Sequence, residues 1–182
     1  MSFTTIDIEG IILFQPRIFE DERGYFYESY RNDAWLKLGV NRPFVQENQA
    51  YSSKGTLRGL HYQRGNMAQA KLVRVISGVV LDVVVDLRLD SPTYGQHFSK
   101  VLSGDNHLQM YVPRGFAHGY LVYSDEAVFS YKCDNYYSKE DEGGLRYDDP
   151  HLDIQWGIDA TELIVSEKDQ KLPYLGAHLP IN

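Results

Sequence analysis

The chain is poor in cysteine, with one residue, Cys133, among 182. A single thiol excludes an intramolecular disulfide and any zinc site built on several cysteines. Cys133 ends the strand-like run AVFSYKC, so it reads as a buried structural thiol. Positive charge is also short: 18 Lys and Arg stand against 25 Asp and Glu, for a net charge of -7. That balance disfavours general nucleic-acid affinity, and an anionic ligand has to be held by local Arg and Lys. Long apolar runs are missing. None approaches the ~20 residues that span a bilayer, and MSFTTIDIEG lacks the basic and apolar regions of a signal peptide. No membrane association is expected, and a cytoplasmic location is the default. No repeat, low-complexity tract or linker divides the sequence, so residues 1–182 read as a single domain.

What is present is 43% hydrophobic residues, enough for a real core, and a dense succession of strand signals. Residues 3–14 alternate loosely and predict one strand. EDERG predicts a turn with Gly24 as its flexible point, and YFYES predicts the strand after it. Residues 31–38 are the best helix candidate, with Asn32 as cap, Trp35 and Leu38 on one face and Gly39 as terminator. Further strands are predicted at 44–51, 57–63, 71–77, 79–88, 96–102, 107–112, 118–123 and 127–133. They are broken by turn residues such as Ser77-Gly78 and Asp90-Ser91-Pro92. Many short strands with close turns indicate an all-β sandwich or barrel with few helices. VVLDVVVDLR is almost continuously apolar and reads as central, with Asp82 and Asp86 on one face at period two. The last third has weaker strand signals, and Ser166–Asp169 resembles a short cap or helical turn.

The chemistry concentrates in GTLRGLHYQRGNMAQAK, residues 55–71. Arg58, His61 and Lys71 fall within seventeen residues there. A base that titrates near neutrality between two fixed cations suits an anionic ligand and proton abstraction from carbon. His61 alone reads as a satisfied structural histidine. His118 in PRGFAHGY changes that reading, because both histidines lie in β regions beside glycines, where a backbone can approach a ligand closely.

The spacing Gly55 to His61 and the run Pro113-x-Gly115-x-x-His118 resemble the two half-motifs of the cupin superfamily. That resemblance implies a double-sheet jelly roll with its site inside the barrel. Gln63 stands where the metal-binding form has a second histidine, and the downstream Glu is missing. Two histidines without further ligands make a poor metal site, so no metal is expected. Taken alone, Asp169 reads as a capping carboxylate, Arg23 and Glu28 as surface charges, and Tyr131 and Tyr136 as packing residues.

Eight stretches in order, FEDERGYFYES, FVQEN, LRGLHYQ, KLVRVISGVVLDVVVDLR, SPTYGQ, VPRGFAHGY, YKCDNYYS and SEKD, resemble the dTDP-4-dehydrorhamnose 3,5-epimerase family from about Phe19 to Pro173. The resemblance implies a cofactor-free isomerase that inverts carbons 3 and 5 of a dTDP-linked 4-keto-6-deoxyhexose. It also implies a homodimer that exchanges strands. Relatives that invert one carbon are the alternative within the family. By the same likeness His61 is the base, Asp169 the carboxylate that orients it, Tyr131 the acid on the other face, and Lys71 a cation for the enolate. Ligand contacts fall on Arg23, Glu28, Gln46, Asn48, Arg58, Lys71, His118, Tyr136, Glu142 and Lys168, with Arg23 and Glu28 reaching the neighbouring subunit's site. Asp82 is either a partner of His118 or one half of a buried strand pair.

Overall fold

The computed structural model describes residues 2–181. Its strands are β1 (Ser2–Thr5), β2 (Ile12–Gln15), β3 (Phe19–Asp21), β4 (Gly24–Phe26), β5 (Gln46–Ser53), β6 (Thr56–Gln63) and β7 (Lys71–Ser77). They continue as β8 (Val79–Asp86), β9 (His97–Ser103), β10 (Gln109–Val112), β11 (Phe116–Val122), β12 (Glu126–Cys133), β13 (Glu142–Gly144) and β14 (Ile164–Val165). A five-residue helix, α1 (Asn32–Leu36), and three single 3-10 turns complete the list among the described residues. One sheet runs β1-β2-β10-β7-β12-β5. The facing sheet runs β13-β6-β11-β8-β9, with β14 added in parallel alongside β6. All other pairings are antiparallel, and the result is the expected double-sheet jelly roll. No helix of the described residues is long and apolar enough to cross a membrane.

Strand β8 shows why the sheets pack as they do. In VVLDVVVD the even positions Val80 and Val84 face the partner sheet, where they meet Val73, Val75, Met110 and Phe129. The odd positions Leu81, Val83 and Val85 face outward, yet they are covered by Leu145, Leu152 and Trp156 from the C-terminal third. Both faces of β8 are therefore dry, which is why its sequence is apolar without alternation. Each such fully buried side chain contributes about 1.5–3 kcal/mol. The opposite case is β5, an edge strand. Its Glu47, Gln49 and Tyr51 are exposed while Gln46, Asn48 and Ala50 point inward and are half-covered.

Several sequence expectations need correction. Residues 3–14 form two short strands, β1 and β2, paired with each other across the turn at 6–11, not one strand. Of YFYES only Tyr25 and Phe26 keep β geometry, as the end of β4, which has no neighbour except β3. The helix is shorter than 31–38 and its N-cap is Arg31; Asn32 is already helical and accepts a hydrogen bond from the Tyr30 hydroxyl. Trp35 is buried against Phe14 and Phe3, whereas Leu38 lies beyond the helix end and is exposed. Gly39, at φ +84°, does follow the helix end as expected.

Candidate active site

A cavity of about 570 Å³ opens between the two sheets, lined among others by Arg58, His61, Lys71, His118, Tyr120, Phe129, Tyr131, Lys168 and Asp169. A polar annex of about 300 Å³ shares His61, Lys71 and Tyr131 with it and adds Gln46, Asn48, Gln63, Tyr137 and Glu142.

Arg58 and His61 are three residues apart, so strict alternation along a strand would place them on opposite faces. The backbone prevents this. His118 on β11 pairs with His61 on β6, but two residues later Tyr120 pairs with Arg58, so β6 spends one extra residue over that interval. This bulge turns both Arg58 and His61 into the cavity. It depends on Gly59, whose φ is +127° and on which a Cβ would lie 2.6 Å from the Gly119 Cα. Only a pair of glycines lets β6 and β11 come this close, which gives the glycines in RGLH and HGY a physical reason.

Asp169 reaches the site by another route. The carbonyl of Gly55 receives the N–H of Ile164, and β14 lies parallel to the start of β6. The following turn, closed by the Asp169 N–H on the Ser166 Oγ, delivers the carboxylate beside His61. Asp169 Oδ1 is 2.7 Å from His61 Nε2, and its Oδ2 accepts a 3.4 Å bond from the Gly59 N–H. Burial pushes the Asp169 pKa up, but the hydrogen bond and charge of His61, with Gly59 and Ser166, outweigh it and hold the carboxyl below its usual value. Asp169 is thus an ionised partner for the imidazole.

His118 is held the same way, with Nε2 3.0 Å from both carboxylate oxygens of Asp82. Asp82 is completely buried, and burial raises its pKa against the pull of His118 and Lys71. The two readings of Asp82 merge: it is a buried strand residue and also the partner of His118.

The opposite wall comes from the other sheet. Lys71 starts β7, and its Nζ lies 5.9 Å from the centre of the Tyr131 ring on β12. Burial lowers the pKa of Lys71, while Cys133, Asp82 and Glu142 pull it back up. Burial likewise raises the Tyr131 phenol, with Asn48 and Arg58 opposing, so it stays protonated at neutral pH. At the mouth, the Lys168 Nζ meets Glu142 Oε2 at 2.5 Å, and Tyr137 donates to the same oxygen at 3.1 Å. Burial acts to raise Glu142, but Lys168, Tyr137 and His61 take it below its normal pKa.

Eleven of the sequence-selected positions therefore lie together: His61, Tyr131, Asp169, Lys71, Gln46, Asn48, Arg58, His118, Glu142, Lys168 and the supporting Asp82. Three do not line either cavity. Arg23 pairs with Asp21 at the tip of the β3–β4 hairpin with 84% of its side chain exposed, Glu28 faces Arg31, and Tyr136 is exposed. Its neighbour Tyr137 occupies the annex instead. Sequence reasoning missed Tyr120, Phe129, Ser166 and Tyr137. The first two carried a usable signal, since they share inward parity with His118 and Tyr131 on their strands. Among the described residues no group of three or more His, Cys, Asp or Glu is placed to hold a metal ion.

Arranged this way, the cavity holds an imidazole–carboxylate pair on one wall and a protonated phenol with a half-buried lysine on the other. That set can remove a proton from one face of a flat intermediate and return one to the opposite face.

Comparison with known proteins gives the following. The family described as dTDP-4-dehydrorhamnose 3,5-epimerase matches residues 5–177. The curated enzyme of that name from Escherichia coli K12 is 46% identical over 173 residues, covering 94% of this chain and 93% of its own. The crystal structure of the enzyme from Elizabethkingia anophelis superposes with a TM-score of 0.93 at 50% identity and covers 96% of both chains. A Legionella pneumophila dTDP-6-deoxy-D-glucose-3,5-epimerase, solved in complex with dTDP-4-keto-L-rhamnose, gives 0.93 at 44% identity, covering 97% of this chain and 93% of that one.

Proposed function

This chain belongs to the dTDP-4-dehydrorhamnose 3,5-epimerase family, and from that premise we propose that it converts dTDP-4-dehydro-6-deoxy-D-glucose to dTDP-4-dehydro-L-rhamnose by inverting carbons 3 and 5. The observation that carries this reading is the placement of His61 and Tyr131 on facing sheets of one cavity. A sugar lying between the sheets presents one face to each.

The ketone at carbon 4 acidifies the hydrogens on carbons 3 and 5. His61 takes such a hydrogen as a proton, and Asp169 holds the ring and stabilises the imidazolium that forms. The electron pair left behind moves to the ketone oxygen, where Lys71, lining the same cavity, stabilises the new negative charge. The Tyr131 hydroxyl then gives its proton to the opposite face of the same carbon, the carbonyl re-forms, and the centre is inverted. His61 and Tyr131 return to their starting states by exchange with water. No redox partner enters this balance.

Arg58 and Lys168 suit the diphosphate, and Gln46, Asn48, Glu142 and His118 supply polar contacts. The reading includes a homodimer. The hairpin carrying Arg23 projects Phe19, Tyr25 and Phe26 at 51%, 58% and 71% exposure, an apolar arm that Arg17 over Phe19 and His107 beside Tyr25 cover only in part. In the dimer this arm would bring Arg23 and Glu28 to the partner's cavity. A cytoplasmic setting fits the single free thiol.

The deciding experiment is incubation with dTDP-4-keto-6-deoxyglucose in heavy water, followed by proton NMR. Deuterium at carbons 3 and 5 with inversion of both is expected. Exchange and inversion at one carbon alone would make the chain a single-centre epimerase, and no exchange at either would remove the activity.

A further inference from the structure

Tyr120 lies on the cavity wall between His118 and Arg58, only 4% exposed. Its hydroxyl makes no hydrogen bond of good geometry among the described residues, with Ser52 and Arg58 as polar neighbours. A buried phenol normally finds one, because an unmet donor forfeits the bonds it made to water. The ring is fully used without the hydroxyl: it stacks on Phe129 at 4.1 Å and 14°, and it belongs to the core between the sheets. Phenylalanine would pack equally well there, so packing does not account for the oxygen.

The surroundings point to what does. Tyr120 pairs across the strands with Arg58, which the bulge has turned inward. Arg58 spends its Nε on the Ser52 Oγ at 3.1 Å, which orients the guanidinium beside Tyr120. Burial raises the Tyr120 pKa, with Ser52 and Arg58 pulling against it, so the phenol remains a donor at neutral pH. A neutral donor beside a solvent-facing cation on one cavity wall is complementary to an acceptor-rich anion.

We propose that the Tyr120 hydroxyl donates a hydrogen bond to a phosphate oxygen of the bound nucleoside diphosphate, forming with Arg58 a two-donor clamp on the diphosphate. The inference rests on the sugar-nucleotide reading above. Tyr120 on this account is a binding residue with no part in the proton transfers.

The test is Tyr120→Phe, with dTDP as the probe because it carries the diphosphate and no reactive sugar. Calorimetry should show the Kd for dTDP rising roughly ten- to a hundredfold. KM for the keto sugar nucleotide should rise in step, with kcat within about twofold of wild type. The Tm without ligand should hold or increase, since the variant loses an unpaired buried hydroxyl, while the Tm gain on adding dTDP shrinks. A merely structural tyrosine would give the reverse, a lower ligand-free Tm with dTDP affinity intact. Unchanged dTDP affinity in the variant overturns the clamp, and a fall in kcat at unchanged dTDP affinity overturns it by placing the hydroxyl at the sugar. If wild-type protein binds no dTDP, the sugar-nucleotide reading itself fails and takes the clamp with it; if wild type binds and turns over and the variant binds dTDP equally tightly, the clamp fails alone.

Discussion

His61 and Asp169 are separated by 108 positions in the chain, and their side chains meet at 2.7 Å. The contact is made by one short parallel strand, β14, lying against β6, followed by a single turn. A base whose orienting carboxylate is ionised and almost wholly buried is poised without any movement of the backbone.

His61→Asn should abolish both solvent exchange and product formation, with turnover falling by roughly 10²–10⁴-fold. Asp169→Asn keeps the shape but removes the charge that stabilises the imidazolium, and should fall in the same direction with KM little changed. Deuterium uptake measured by NMR checks both. Wild-type exchange in His61→Asn would move the base elsewhere.

Tyr131→Phe removes one hydroxyl and leaves the ring beside Lys71. His61 can still take a proton and return a deuteron to the same face, so exchange should outlast inversion. Following stereochemistry and isotope content in one sample separates the two. Normal inversion would assign the donor role to water or to a second tyrosine; Tyr137, which lines the annex, is then the next to replace.

Arg58→Ala should act on binding. Losing a charge-assisted bond to phosphate costs about 1.5–3 kcal/mol, seen as a raised KM with kcat nearly kept. Steady-state kinetics gives the answer, and a collapsed kcat at normal KM would bring Arg58 into the chemical step.

Asp86 offers a pH test remote from the chemistry. It is fully buried. Burial raises its pKa, but hydrogen bonds from Arg88, Ser91 and Thr93 bring it down to about 2. A carboxyl depressed in the folded state stabilises above its unfolded value near 4, and this is lost as pH falls through about 2. The gain at neutral pH is about 2 kcal/mol. Asp86→Asn should therefore be less stable than wild type by about that amount at pH 7 in urea denaturation, with the gap closing between pH 4 and pH 2. An equal gap at both ends of that range would show that charge is not the cause.

Gly59 and Gly24 separate steric from conformational cost. Both have positive φ, +127° and +119°, but a Cβ on Gly59 strikes Gly119 whereas one on Gly24 meets nothing within 4 Å. Gly24→Ala should cost about 1 kcal/mol and Gly59→Ala roughly 2–4 kcal/mol with loss of activity. Equal costs in denaturant titrations would mean that β6 and β11 can part without penalty.

Much of this was legible in the residues. The unbroken apolar run announced β8 as central because both its faces are dry; the glycines beside His61 and His118 read as room for a ligand, whereas Gly59 and Gly119 let two strands approach each other. The parts that stayed hidden have physical reasons. β14 is two residues long, too short for any periodicity, and β13 is Glu-Gly-Gly, whose partner β6 lends it strand form that its own side chains do not encode. Alternation alone put Arg58 and His61 on opposite faces, and only the pairing with β11 reveals the bulge. That Tyr137 lines the annex depends on a loop geometry that has no pattern to read.

The double covering of β8 divides the cavity wall into parts that can and cannot be redesigned. A change in the size of any β8 valine disturbs a packed layer whichever way it points, so the strand is closed to tuning. On β5 the inward residues Gln46, Asn48 and Ala50 stand on a sheet margin whose other side is solvent, and Ile164, Val165 and Ser166 belong to a short surface segment. New substrate preferences should be sought by randomising these two borders, where the scaffold has slack to absorb the substitutions.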